Sequence, residues 1–159
     1  MQGYYESIGF DFSRETFEEL SSAYVAAYKT RWHECSLYPQ ARPTLQQACD
    51  SGRSQSVLSA HHQNTLAELV ETFDVADLFQ HLVGLENSYA VSKVHQGRRL
   101  LDILSHRPSQ VLLIGDTLHD AEVAQAIGVD CVLVAHGHQS RQRLKQSGVK
   151  VIDSLRDLF

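Results

Sequence analysis

The stretch from residue 110 to residue 134 constrains the fold of this chain more than any other. It opens with an unbroken apolar run, Val111 to Ile114, which is typical of a strand buried on both faces of a parallel sheet. A helical pattern follows and ends at Gly128, where a left-handed C-terminal residue is expected, and Cys131 to Val134 predicts a second buried strand. The stretch therefore predicts a strand–loop–helix–strand unit of an α/β fold with a mostly parallel sheet.

Two carboxylates, Asp116 and Asp120, follow the first of these strands directly after Gly115. Acidic groups at the carboxyl end of a parallel strand lie where open α/β sheets bind ligands. Carboxylate oxygens suit a hard cation such as Mg2+, which usually keeps phosphate oxygens among its ligands. A structural role is equally open, because either Asp could cap the helix that starts near residue 120.

The rest of the chain divides into a helical start and an alternating remainder. An amphipathic helix is predicted from an N-cap at Ser13 to about residue 34, with no strand before it, and Pro43 opens a short helix through Cys49. From residue 55 onward strands and helices alternate, which indicates parallel strands joined by right-handed crossovers. The remaining predicted strands span 55–59, 81–85 and 149–152, and the helices span 62–72, 93–105 (capped by Ser92) and 140–147.

Composition excludes several classes of protein. A formal charge of -5 over 159 residues argues against non-specific binding to nucleic acid, which needs a basic surface. No apolar run approaches the length of a membrane span, so we expect no membrane partner. Three cysteines without paired spacing favour free thiols in a reducing cytoplasm.

Two further positions have both a functional and a structural interpretation. Ser59, followed by Ala60, ends the predicted strand over 55–59, where a hydroxyl and free backbone N–H groups could hold a phosphate oxygen, although Ser is also an ordinary turn residue. Lys93 begins a helix, where a cation opposes the helix dipole, so it either neutralises a phosphate or is simply solvated. The sequence His136-Gly-His138 lacks the neighbouring ligands of a zinc site and is interpreted as part of a rim.

Three segments together resemble three of the four motifs of the haloacid-dehalogenase superfamily of phosphatases. They are Val-Leu-Ser59-Ala, Ser-Lys93-Val, and Leu-Leu-Ile-Gly-Asp116-Thr-Leu-His-Asp120, in that order. The phosphoglycolate-phosphatase-like branch is the most similar. The resemblance implies a Rossmann-like core over residues 40–159 with flanking helices, and a remnant of the family's helical cap over residues 1–39.

The resemblance also implies roles for these residues. Ser59, with Ala60 beside it, would bind the transferring phosphoryl group of a small phosphorylated metabolite, and Lys93 would neutralise that group. Asp116 would bind Mg2+, and Asp120 would support that site. Val94 follows Lys93 where relatives often carry Pro, and Gln40 replaces the usual Gly after Pro39.

The family's first motif, an apolar strand ending in Asp-x-Asp-Gly-Thr that supplies the nucleophile, has no counterpart in this sequence. The nearest segment, Ile8 to Ser13, contains only Asp11 after a broken apolar lead-in, and we reject Asp11 as nucleophile. In this family the missing strand lies between the strands of Ser59 and Asp116. Those strands should therefore pair directly, be covered by a partner chain or by self-association, or belong to a fragment of a longer parent; a truncated chain is expected.

Three functions follow from these patterns. The first is a Mg2+-dependent phosphatase that is catalytically deficient, because the nucleophile is absent. The alternative is a non-catalytic module that binds phosphate and Mg2+, a pseudo-phosphatase. A phospho-acceptor receiver domain would use Asp116 as acceptor, but it also requires an acidic pair after its first strand, which we do not find.

Overall fold

A computed structural model describes residues 6, 9–85 and 93–159. The chain forms two compact units, Met1–Ser36 and Leu37–Phe159. The predicted cap Ser92 and the lead-in residue Ile8 lie outside the described residues. The division at residue 39 into a cap remnant and a core stays a prediction.

The first unit contains helix α1, Phe17–Arg31, continued by a 3-10 turn at Trp32–Glu34. Its N-cap is Thr16 and not Ser13, so that part of the prediction is wrong. Thr16 and Glu19 form a reciprocal capping box, in which the Glu19 carboxylate accepts from the Thr16 N–H at 2.8 Å. Ser13 has no such acid three residues later, and its own N–H is held by Asp11 at 2.9 Å.

The second unit alternates strands and helices. Its elements in chain order are α2 (Ala41–Asp50), β1 (Ser56–His62), α3 (Gln63–Thr72), β2 (His81–Leu85), α4 (Lys93–Ile103), β3 (Leu112–Gly115), α5 (Leu118–Ile127), β4 (Asp130–Val134), α6 (Arg141–Leu144) and β5 (Lys150–Ile152). Short 3-10 turns lie at Ala76–Leu78, Pro108–Gln110, Lys145–Ser147 and Leu155–Leu158. None of the helices within the described ranges combines the length and apolar character needed to cross a bilayer.

The strands form two parallel sheets, β1–β2 and β3–β4–β5. The predicted α/β class with parallel strands is thus confirmed. Helix α4 contacts both strand β1 and helix α5, because Gly97 lies against Leu58 of β1 and Ile127 of α5. Each sheet has an apolar core of its own. The core beside β1–β2 is built on Leu66, Val70, Val75 and Leu78. The β3–β4–β5 sheet has one cluster on each face, built on Ala121, Leu133 and Leu144 and on Val132, Val134 and Ile152.

Strand β3 departs from the sequence prediction. Its apolar run predicts burial on both faces, yet Leu112 and Ile114 are each 46% exposed. The two side chains are two residues apart and point to the same face of β3, so that face is open. The strand also has an open edge: among the described strands β3 pairs with β4 alone, and β1 and β3 are not hydrogen-bonded to each other. Direct pairing of these two strands is therefore not what the structure shows, and both present an open edge.

Candidate functional site

The loop between β3 and α5 is organised by a capping box. Thr117 is the N-cap residue of α5, so neither Asp116 nor Asp120 fills that position. Asp120, three residues after the cap, is only 4% exposed. Its Oδ2 accepts from the Thr117 hydroxyl at 2.7 Å, the Thr117 N–H at 3.0 Å and the Asp116 N–H at 3.1 Å. One carboxylate oxygen thus fixes the backbone that carries Asp116.

The other oxygen of Asp120 holds Lys93. The Lys93 Nζ lies 2.5 Å from Asp120 Oδ1, and the two side chains are 19% and 5% exposed. Burial opposes ionisation of this carboxyl, but the hydrogen bonds from Lys93 and Thr117 and the Lys93 charge outweigh it, so the pKa of Asp120 lies below its usual value of 3.8. A lysine that opposes the dipole of α4 is therefore compensated by a buried acid on α5.

Asp116 is held from the far side by residues that follow β4. Its Oδ2 accepts from the His138 N–H at 2.7 Å. Gly137 lies so close that a Cβ there would overlap the Asp116 carboxylate, and Gln139 Oε1 accepts from the Leu118 N–H at 2.9 Å. The sequence predicts only that residues 136–138 lie at the rim of a site. The one local signal for contact with Asp116 is Gly137, a glycine shortly after a buried strand.

Ser59 lies in an irregular part of β1, so the expectation that it ends the strand is wrong. The strand continues to His62, and its register with β2 shifts between Leu58 and His62. The Ser59 hydroxyl accepts from the His61 N–H at 3.1 Å, and Ala60 is exposed. Residues 59–61 have no register partner in β2, so they form a bulge. Pairing resumes at His62, which lies beyond the predicted strand end.

The bulge is tied to β2 by Gln63, the first residue of α3. Its Oε1 accepts from the Gly84 N–H at 2.7 Å and its Nε2 donates to the Leu82 carbonyl at 3.0 Å. A Cβ on Gly84 would lie 2.7 Å from the His61 carbonyl oxygen, so only Gly allows this approach. Sequence reasoning found neither Gln63 nor Gly84.

The structure thus brings Lys93, Asp116 and Asp120 together in one hydrogen-bonded cluster. Within the described part of the chain, Ser59 makes no hydrogen bond to any of these three. Its convergence with them on one phosphate site stays a prediction. Asp11, the rejected nucleophile, is an exposed turn residue of the first unit, and hydrogen bonds from Ser13 lower the pKa of its carboxyl.

The donor set fits a magnesium ion only in part. Both oxygens of Asp120 are engaged within the protein, which leaves Asp116 as the carboxylate that can face a cation. Over residues 6, 9–85 and 93–159, no three His, Cys, Asp or Glu side chains form a group that could hold a metal. A single carboxylate is nevertheless compatible with Mg2+, which often binds one or two carboxylates and completes its shell with water and phosphate oxygens.

Residues 4–134 match the haloacid dehalogenase-like hydrolase family. The chain belongs to that family. A protein from Clostridium acetobutylicum described as a predicted phosphatase has the same fold, with a TM-score of 0.86 at 22% identity over 99% of this chain and 73% of its own.

Relatives of this haloacid dehalogenase-like chain carry more than one activity in their names. The phosphoglycolate phosphatase of Yersinia pseudotuberculosis is 28% identical over 131 residues, which is 81% of this chain and 55% of the relative. The tyrosine-protein kinase PtkA of Mycobacterium tuberculosis is 27% identical over 140 residues, 87% of this chain and 48% of the relative. The chain spans about half the length of these curated relatives.

Proposed function

We propose that this haloacid dehalogenase-like chain carries a Mg2+-dependent phosphatase site for small phosphorylated metabolites of the phosphoglycolate type. The observation that carries the proposal is the cluster of Lys93, Asp116 and Asp120 at the carboxyl end of β3. A phosphate ester brings negative charge that needs a cation and a metal-binding carboxylate side by side, and this cluster offers both.

Each residue of the cluster has a distinct task in this proposal. Asp116 would hold the Mg2+, which when bound stabilises charge on the phosphoryl oxygens. Lys93 has three N–H donors. Within the described residues one of them is used, by Asp120, and two remain for a phosphoryl oxygen. Ser59 would donate its hydroxyl to the same group, and the buried Asp120 keeps Lys93 and the loop in place.

We further propose that this 159-residue chain binds phosphate without turning it over. Transfer requires an attacking carboxylate that forms an aspartyl-phosphate and releases the alcohol, after which water takes the phosphoryl group as inorganic phosphate and regenerates the carboxylate. The sequence offers no aspartate in the required context. The test is hydrolysis of p-nitrophenyl phosphate with and without Mg2+, for which we expect no turnover above background. Metal-dependent turnover that Asp116→Asn abolishes would show that a nucleophile is present.

The alternative function, a non-catalytic module that binds phosphate and Mg2+, uses the same cluster. Isothermal calorimetry with inorganic phosphate and Mg2+ separates both of these functions from a protein that binds neither ligand. For both functions we expect binding, and we expect Asp116→Asn to remove it. Relatives named as a phosphatase and as a kinase both act on phosphoryl groups, but a shared fold does not transfer a substrate. A panel of small phosphomonoesters is therefore the appropriate substrate screen.

We propose that a second copy of the chain covers the open edge of β3. The support is the edge of β3 that no described strand pairs with, next to Leu112 and Ile114, each 46% exposed; such edges are templates for pairing with another chain. Sedimentation velocity of the purified protein should show a dimer or larger species that Ile114→Lys dissociates. Ile103→Lys is the matched control, because Ile103 is a similarly exposed isoleucine on α4. A wild-type monomer at high concentration would leave a different partner chain as the occupant.

A further inference from the structure

We propose that the loop of residues 136–139, the clamp loop, is a positioning element that sets the orientation of the Asp116 carboxylate. This inference rests on the proposed function, since it assigns the device that holds its metal-binding carboxylate. The clamp loop contributes a glycine, a backbone N–H and one amide side chain, and none of them need touch the substrate.

The first contact is steric. Gly137 packs directly against Asp116, and a Cβ at residue 137 would overlap its Cβ, Cγ and Oδ2. The same relation holds at Gly115, where a Cβ would overlap the carboxylate of Asp120. Each acid of the cluster therefore lies against a glycine, because only a residue without a Cβ lets the backbone come this close to the carboxylate.

The second contact is a hydrogen bond from the main chain. The His138 N–H donates to Asp116 Oδ2 at 2.7 Å, a short distance that is typical of a charged acceptor. Because the donor belongs to the backbone, its direction is set by the path of the loop and not by a rotamer. One oxygen of Asp116 is thereby fixed.

The third contact ties the loop to the start of α5. Gln139 Oε1 accepts from the Leu118 N–H at 2.9 Å, so it satisfies one of the free N–H groups in the first turn of that helix. Leu118 is two residues from Asp116. Gln139 therefore holds the clamp loop and the Asp116 backbone at a constant separation.

The open edge of β3 makes this support necessary. Asp116 follows a strand that, in the part of the chain the structure describes, has a hydrogen-bonded neighbour on one side, β4. The clamp loop continues from β4, so it restrains Asp116 from the side on which the sheet is complete. Residues that hydrogen-bond to a metal-binding side chain support metal affinity, which typically falls about ten- to a hundred-fold when they are removed.

The experiment compares Mg2+ binding and amide exchange in a set of variants. Calorimetry with Mg2+ and inorganic phosphate should show affinity about ten- to a hundred-fold weaker in Gly137→Ala and Gln139→Leu. Gln139→Glu keeps an acceptor for the Leu118 N–H and should restore binding. Hydrogen exchange of the metal-free protein should show a protected His138 amide that loses protection in Asp116→Ala.

Two controls separate positioning from stability. Gln142→Leu makes the same chemical change at an exposed residue of α6 and should bind Mg2+ as the wild type does. Gly52→Ala strains a backbone with φ of +73° where a Cβ would meet nothing within 4 Å, so it should lower the melting temperature and leave Mg2+ affinity unchanged.

The outcomes distinguish the inference from the proposed function. Any of three results would contradict the inference. They are Mg2+ affinity in Gln139→Leu equal to that of the wild type, Mg2+ affinity in Gln139→Glu as weak as in Gln139→Leu, and an unprotected His138 amide in the wild type. If the wild-type chain binds no Mg2+, the proposed function fails, while the exchange of the His138 amide still decides whether the loop holds Asp116.

Discussion

The two regions proposed for phosphate chemistry, the loop after β3 and the bulge of β1, are built in opposite ways. After β3, Asp120 accepts three hydrogen bonds through one oxygen and pairs with Lys93 through the other, and it is almost fully buried. In β1, Ser59 accepts a single bond inside a bulge that leads to an exposed segment. The comparison indicates that the loop carrying Asp116 and Asp120 is held by a dense set of internal hydrogen bonds, whereas the segment that follows Ser59 is joined to β2 through Gln63.

The largest expected effect is at Asp120. Asp120→Ala should lower the free energy of unfolding by about 3 kcal/mol, because it leaves the Lys93 ammonium and the Thr117 donors without their acceptor. Urea unfolding followed by circular dichroism measures the change. A loss below about 1 kcal/mol, the scale of an exposed ion pair, would remove the distinction between the loop after β3 and the bulge of β1.

The same contribution should depend on pH. The folded pKa of Asp120 lies below 3.8, so the stabilisation is complete well above pH 3.8 and is lost as the pH falls through the lower folded pKa. The stability difference between wild type and Asp120→Asn should therefore be constant from about pH 5 to about pH 7 and shrink below pH 3.8. Ser59→Ala, which removes no charge, should give a difference that does not change over this range.

A smaller effect is expected at the cap of α5. Thr117→Ala should cost about 1–2 kcal/mol, since it removes the cap of α5 and one donor to Asp120. Ser154→Ala is the control, because Ser154 caps the C-terminal 3-10 turn and not a helix that carries Lys93 or Asp120. Thermal melts of both variants test the prediction, which fails if Ser154→Ala costs as much as Thr117→Ala.

The smallest effect is expected at Ser59. Ser59→Ala should cost about 0.5–1 kcal/mol, because one hydrogen bond to a backbone N–H is lost in a half-buried place. Gln63→Leu should cost more, since it removes two bonds that join the bulge to β2. If Ser59→Ala destabilises the protein more than Gln63→Leu in urea titrations, the Ser59 hydroxyl and not Gln63 is the main restraint on the bulge.

Local patterns in the sequence are sufficient to predict the class of fold and one half of the site. The apolar run before Gly115 and the glycine after the helix predict β3 and α5, and Gly128 does adopt the left-handed conformation with φ of 78°. Both signals are local, because period and backbone stereochemistry depend on near neighbours in the chain. The spacing of Asp116 and Asp120 is local for the same reason, and it places both at the loop that follows β3.

The surroundings of those residues depend on contacts between distant parts of the chain, which no local pattern specifies. The ion pair of Lys93 with Asp120 joins positions 27 apart, and the bond from His138 to Asp116 joins positions 22 apart. The exposure of Leu112 and Ile114 is likewise invisible in the sequence, because an apolar run states what a strand can bury and not whether a neighbour is there to bury it.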